Sequence, residues 1–215
     1  MAKFAVILAG CGVYDGAEIN EAVLTFLALE ENNIQYDTFA PNIKQHHVIN
    51  HYTGSVDTEE RNVLVEANRI TRGKTKDSET LVPSEYDALI VPGGFGVAKN
   101  LSDFAFTEAS FSIEPTVEKI LTQFKELKKP VGYMCIAPAL LCCIYQDCQA
   151  TIGSDKTTGA RLSSLGMLHH EKSVGDIVVD EANRVVTTPA YMLADTPGQA
   201  KTGIFNLVKA VHALV

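Results

Sequence analysis

The segment Lys3–Ala9 (KFAVILA) is an unbroken apolar run that ends directly in Gly10-Cys11-Gly12. A strand with no polar alternation has both faces buried, so the chain must place a layer above it and another below. The pattern recurs: Asp87–Val91 (DALIV) runs into Pro92-Gly93-Gly94, and Val131–Met134 runs into Cys135. Between these runs the apolar residues take helical spacing. One helix is expected from about residue 17 to 31, with Ile19, Ala22, Val23, Phe26 and Leu27 as its apolar stripe. Others are expected over Ile113–Lys128, from Ala139 onward, and from about Gly198 to Ala213. Ile34–Phe39 reads as a further strand, and Ile177–Val179 with Arg184–Thr187 as a hairpin around Asp180–Asn183. Strands and helices in alternation, with glycine turns after strands, give an α/β fold with a mostly parallel sheet and helices on both faces. Ligands in such folds sit beyond the carboxyl ends of the strands, so the turns after Ala9, Val91 and Met134 are where function is sought.

At 215 residues the chain reads as one domain, 1–215. Residues 42–82 depart from the minimal alternation, with three loop histidines (His46, His47, His51), an amphipathic helix and a polar stretch; they read as an insertion over the site or a partner. The net charge is 18 − 26 = −8, with no run of Lys or Arg. Nucleic acid and anionic membrane both require a basic footprint and are therefore poor partners. Phe4–Ala9 is too short for a bilayer span and, with only Lys3 before it, makes a poor signal peptide. Five cysteines, an odd number with three crowded at 142–148, fit free thiols in a reducing compartment, and a cytoplasmic protein is the expectation.

Cys135 lies between a buried strand and a helix. That position exposes a sulfur to helix N–H groups, which lowers a thiol pKa and supplies an oxyanion site. The plainer reading is a small buried hydrophobe. Val91-Pro92-Gly93-Gly94-Phe95-Gly96 allows close backbone approach opposite Cys135, but it is not GxGxxG and no Walker lysine follows, which disfavours dinucleotides and ATP. Glu18 and Glu21 stand in the first turns of the first helix, where carboxylates are favoured by the dipole alone. At ~100° per residue, Glu21 lies roughly 170° from the Ile19–Leu27 stripe, the place of a solvated residue. Ala17, Leu24 and Ala28 share its side, however, and a carboxyl among small apolar groups would have a raised pKa and could serve as a base. Cys11 is a rival thiol without a following helix start, and the Cys142-Cys143-Cys148 group lacks zinc spacing. His169 and His170 precede the hairpin, and either could partner the thiol.

These segments, GCGVYDGAEINEAV, RNVLVEANRITRG, DALIVPGGFGVAKNLSDFA, GYMCIAPALL and VVTTPAYM, span residues 10–192. In this order they resemble the ElbB family, isoprenoid-biosynthesis proteins with an amidotransferase-like domain, within the PfpI-like branch of the class I glutamine-amidotransferase-like superfamily. The resemblance implies a flavodoxin-like sandwich and a homodimer. It makes Cys135 the reactive thiol, Glu21 the helix glutamate in contact with it, and Gly94 and Ile136 the oxyanion donors. His169 is taken with the catalytic pair, and Asn100 with Gly94 and Ile136 as substrate-binding. The chain departs from the pattern at Ile136, where many relatives carry His, and no His-x-Glu element is evident near its end. A Cys–His–acid hydrolase, a protease and a glutamine amidotransferase are thereby disfavoured.

Because several relatives are glutathione-independent glyoxalases, the resemblance implies a cofactor- and metal-independent conversion of 2-oxoaldehydes to 2-hydroxy acids. Cys135 would form the hemithioacetal and Glu21 would carry the proton. Two other readings stay open: hydrolysis or lyase action on another small electrophile, and a non-catalytic redox-sensing or regulatory protein linked to isoprenoid metabolism.

Overall fold

A computed structural model describes residues 1–215. Its main sheet is built from β1 (Lys3–Ile7), β2 (Gln35–Ala40), β3 (Lys76–Asp77), β4 (Ala88–Val91), β5 (Val131–Met134), β8 (Val178–Asp180) and β9 (Val185–Thr188). Two further short strands, β6 (Gln149–Ala150) and β7 (Leu168–His169), pair with each other. The main order is β3-β2-β1-β4-β5-β9-β8, parallel throughout except where β8 returns against β9. This is a flavodoxin-like α/β sandwich.

Period-two alternation divides each central strand between two cores. Ala5 and Ile7, Leu89 and Val91, and Val131 and Tyr133 face one core. Phe4, Val6, Ala88, Ile90 and Met134 face the other. The first core is closed by α3 (Phe95–Lys99), α4 (Pro115–Glu126), α5 (Leu141–Ile144) and α6 (Lys156–Ser164). The second is closed by α1 (Ile19–Glu31), α2 (Val63–Thr71) and α7 (Pro197–Ala213). Gly132 brings α7 onto β5: a Cβ there would stand 2.7 Å from the Leu207 side chain. The strand that carries Cys135 is thus held directly beneath a long helix.

Two expectations change. In the 42–82 segment, α2 and β3 form an ordinary crossover within the sandwich, and the 42–62 loop folds back over the Gly10–Gly16 turn. There Asp15 Oδ2 accepts the Ile49 N–H at 2.6 Å, and His51 Nε2 accepts the Tyr14 N–H at 3.2 Å. The second change concerns α1, which is turned about its axis relative to the apolar-stripe reading. Glu21, Ala22, Thr25, Ala28 and Leu29 are buried, whereas Ile19, Val23 and Leu27 are 44%, 48% and 39% exposed. Small residues let α1 lie close to its neighbours, and the one buried carboxylate on that face has partners for both its oxygens. The larger side chains are consequently left outside. No helix is long and apolar enough to cross a membrane.

Candidate active site

The turns after β1, β4 and β5 meet at the carboxyl edge of the sheet, and their backbones interlock. Cys135 follows β5 with φ 58°, a left-handed conformation that costs a non-glycine residue ~1–2 kcal/mol and is retained where surroundings enforce it. Its own N–H donates to Thr188 O at 3.0 Å, which ties it to the end of β9. Gly93 permits the closest approach. A Cβ there would lie 2.5 Å from Cys135 Cβ, 2.9 Å from its Sγ and 2.8 Å from Glu21 Oε2. Gly94 has φ 99°, and a Cβ on it would strike Glu18 N and Gly16 O, each at 2.4 Å.

Glu21 is fully buried. Its Oε2 accepts the Gly93 N–H at 2.7 Å and its Oε1 accepts the Tyr191 N–H at 3.1 Å. Oε2 and the Cys135 Sγ both border the Gly93 Cα, so carboxyl and thiol flank one glycine. Burial, followed by the neighbouring Glu18 carboxylate, pushes the Glu21 pKa from an ordinary 4.5 up to about 7; the two N–H groups and the thiol oppose that rise. Cys135 is 7% exposed. Burial and the Glu21 carboxylate drive its pKa well above 9.0, while the backbone N–H groups of Gly94 and Ile136 pull it down.

This revises the expected basis of thiol reactivity. Ile136 is followed by a 3-10 turn, Ala137–Leu140, and then by the four-residue α5, so no long helix delivers a dipole to the sulfur. What the arrangement offers is one proton shared between a thiol and a carboxyl. When Glu21 takes it, the repulsion that opposes the thiolate disappears, and the Gly94 and Ile136 N–H groups favour the anionic sulfur.

The structure therefore brings together Cys135, Glu21, Gly94 and Ile136. Two other residues expected here are engaged elsewhere. His169 lies in β7, where Nε2 accepts the Ile152 N–H at 3.3 Å and the ring packs over Gly159; no hydrogen bond joins it to Cys135 or Glu21. Asn100 is buried, and its amide is already spent. Nδ2 donates to Ala9 O at 3.0 Å and to Asp15 O at 2.8 Å, while Oδ1 accepts the His46 N–H at 2.9 Å. It pins three loops together, with both amide hydrogens donated and its oxygen engaged by His46. Tyr191 enters through its backbone, which its side-chain type could not reveal, although it lies in the VVTTPAYM segment that carries the resemblance. Burial also raises the other thiols, Cys142 to about 12 and Cys143 to about 11. No three His, Cys, Asp or Glu side chains converge in a set that could hold a metal ion.

No family model matches the chain. Among curated proteins, it is 40% identical to the mitochondrial ES1 protein homolog of Rattus norvegicus over 223 aligned positions, covering 99% of this chain and 84% of that protein. It is 39% identical to the mitochondrial "glutamine amidotransferase-like class 1 domain-containing protein 3" of Homo sapiens, covering 99% and 83%. Among solved structures, the isoprenoid biosynthesis protein with amidotransferase-like domain from Ehrlichia chaffeensis superposes with TM-score 0.92 at 37% identity, over 100% of this chain and 99% of that one. The mitochondrial names of the curated relatives overturn the cytoplasmic expectation. Free thiols separate reducing compartments from oxidising ones and do not choose among the reducing ones. With identity near 40% across almost its full length, the chain belongs to the ElbB-like family of ES1 and isoprenoid-biosynthesis proteins with a glutamine amidotransferase-like class 1 domain.

Proposed function

We propose that the protein is a cofactor-independent glyoxalase acting on glyoxal and methylglyoxal. The observation that carries this reading is the meeting of thiol and carboxyl at Gly93, where an added Cβ would lie 2.9 Å from Cys135 Sγ and 2.8 Å from Glu21 Oε2; the Gly94 and Ile136 N–H groups favour the thiolate. Glu21 accepts the thiol proton as sulfur adds to the aldehyde carbon, and that proton passes to the aldehyde oxygen, giving a hemithioacetal. The restored carboxylate then removes the C1 hydrogen and returns it at C2 through an enediol. The product of that shift is a 2-hydroxyacyl thioester, which water hydrolyses to the 2-hydroxy acid and the free thiol. The sequence is an internal redox isomerisation followed by hydrolysis, so its electrons balance without an external acceptor. A base that titrates near neutrality suits both proton transfers.

A homodimer belongs to this reading, with the exposed Ile19, Val23 and Leu27 stripe as the surface it would cover. The regulatory alternative draws on the isoprenoid-biosynthesis name of the Ehrlichia protein. A sensing thiol needs no proton carrier, whereas Glu21 stands against Cys135 across Gly93 and can carry one, which favours the enzymatic reading. The test is turnover of methylglyoxal and glyoxal without glutathione by the wild type, Cys135→Ser and Glu21→Gln. Lactate and glycolate from the wild type, with both variants inactive, support the mechanism. A wild type that turns over neither substrate overturns it.

A further inference from the structure

We infer that Glu18 is a positioning residue for the Cys135–Glu21 pair: its carboxylate holds the Glu21 backbone in place and sets a second negative charge beside the buried carboxyl. The inference rests on the reading of Glu21 as the proton carrier. Glu18 is the N-cap of α1, and its Oε2 accepts the Glu21 N–H at 2.6 Å. Its Oε1 accepts from Asn20 Nδ2 at 3.3 Å, and the same amide reaches the Tyr191 hydroxyl at 3.2 Å. The Tyr191 N–H closes a ring by returning to Glu21 Oε1. On its backbone side, the Glu18 N–H donates to Gly93 O at 2.9 Å, so the residue is tied to the same turn that supplies a donor to Glu21.

A cap alone does not call for this residue. Ser, Thr, Asp and Asn cap helices well, and an uncharged cap here would leave Glu21 without a like charge as neighbour. Glu18 is 8% exposed, and burial raises its pKa too. No Lys, Arg or His forms an ion pair with either glutamate. The titratable groups facing Glu21 are Glu18 on its own helix, Cys135 on the elbow and Tyr191 on the turn after β9; α7 meets α1 through the apolar core that holds Ala200, Ile204 and Phe205. Two carboxylates in one buried corner without a cation form an arrangement in which the second ionisation is resisted, which keeps the proton of Glu21 available near neutral pH.

The test compares Glu18→Gln, which keeps an acceptor for the Glu21 N–H and removes the charge, with Glu18→Ser, which restores a short cap. The Glu21 carboxyl is followed by 13C NMR against pH in the full chain, a readout that does not depend on any substrate. Both variants are expected to move the Glu21 midpoint down from about 7 by roughly one pH unit, a tenfold change in proton affinity. For glyoxalase turnover, the acid limb should follow: at pH 6, activity relative to each protein's own plateau should rise about fivefold. An unmoved midpoint in folded Glu18→Gln and Glu18→Ser overturns the inference and leaves Glu18 a cap only. A wild type without glyoxalase turnover overturns the proposed function, while the carboxyl titration still decides the part played by Glu18.

Discussion

Burying Glu21 should impose a pH-dependent cost on folding that a single substitution removes. The carboxyl titrates at about 7 in the folded chain against an ordinary 4.5. Between those values the folded chain holds a proton that the unfolded chain has released, so stability falls as pH rises through the window. Below 4.5 both states are protonated and the penalty is absent; above about 8 both are ionised and it is complete. A pKa difference of about 2.5, at roughly 1.4 kcal/mol for each, makes it about 3 kcal/mol. Glu21→Gln abolishes this titration. It also turns an amide NH2 toward Gly93 or Tyr191 N–H, leaving one donor without an acceptor at a cost of about 1–3 kcal/mol that does not vary with pH. The unfolding free energy of the variant minus that of wild type should therefore rise by about 3 kcal/mol between pH 4.5 and 8, whatever its offset. Urea unfolding across that range measures it, and for a chain of this length the difference corresponds to about 6–12 °C in Tm. Parallel curves for the two proteins would refute the premise that Glu21 is buried with a raised pKa.

Gly93→Ala should abolish turnover and cost ~1–3 kcal/mol in urea unfolding, since its methyl group must displace Cys135 and the Glu21 carboxyl together; a folded variant with wild-type kcat contradicts the packing described for the elbow. Asn100→Ala should lower stability by ~2–3 kcal/mol through the loss of three loop hydrogen bonds, with KM for any substrate unchanged; a raised KM at unaltered stability would restore it as a binding residue. Val23→Glu places a charge in the exposed α1 stripe and should convert a homodimer to monomer in light scattering. A dimer that survives it is held by another surface.

The central strands β1, β4 and β5 were legible because parallel strands buried on both faces announce themselves as apolar runs, and glycines mark where β1 and β4 stop, whereas the two-residue edge strand β3 lay hidden in a polar stretch. The hairpin of β8 and β9 was legible because two short β-branched runs flank the polar Asp180–Asn183 turn. The buried face of α1 was not. Hydrophobic periodicity weights large side chains, whereas this interface is made by Ala22, Ala28 and a carboxylate whose partners, the Gly93 and Tyr191 N–H groups, lie 72 and 170 residues away. The Gln149–Ala150 and Leu168–His169 pair was too short to show a period, and its formation draws His169 into a framework role. Cys135 was found from its place after β5, but neither its φ of 58° nor its raised pKa could be read from neighbours that belong to other loops.

Apart from Glu21, every polar group described around the sulfur is main chain: the N–H groups of Gly94 and Ile136, which favour the thiolate, and those of Gly93 and Tyr191 on its carboxyl partner. A donor of that kind is indifferent to the side chain it carries. The backbone donors at 136 and 191 therefore do not depend on a particular side chain there, and a missing histidine after the cysteine is no sign of a dead site. What such a site does not survive is proline at either position, or a single added methyl group at either glycine of the PGG turn.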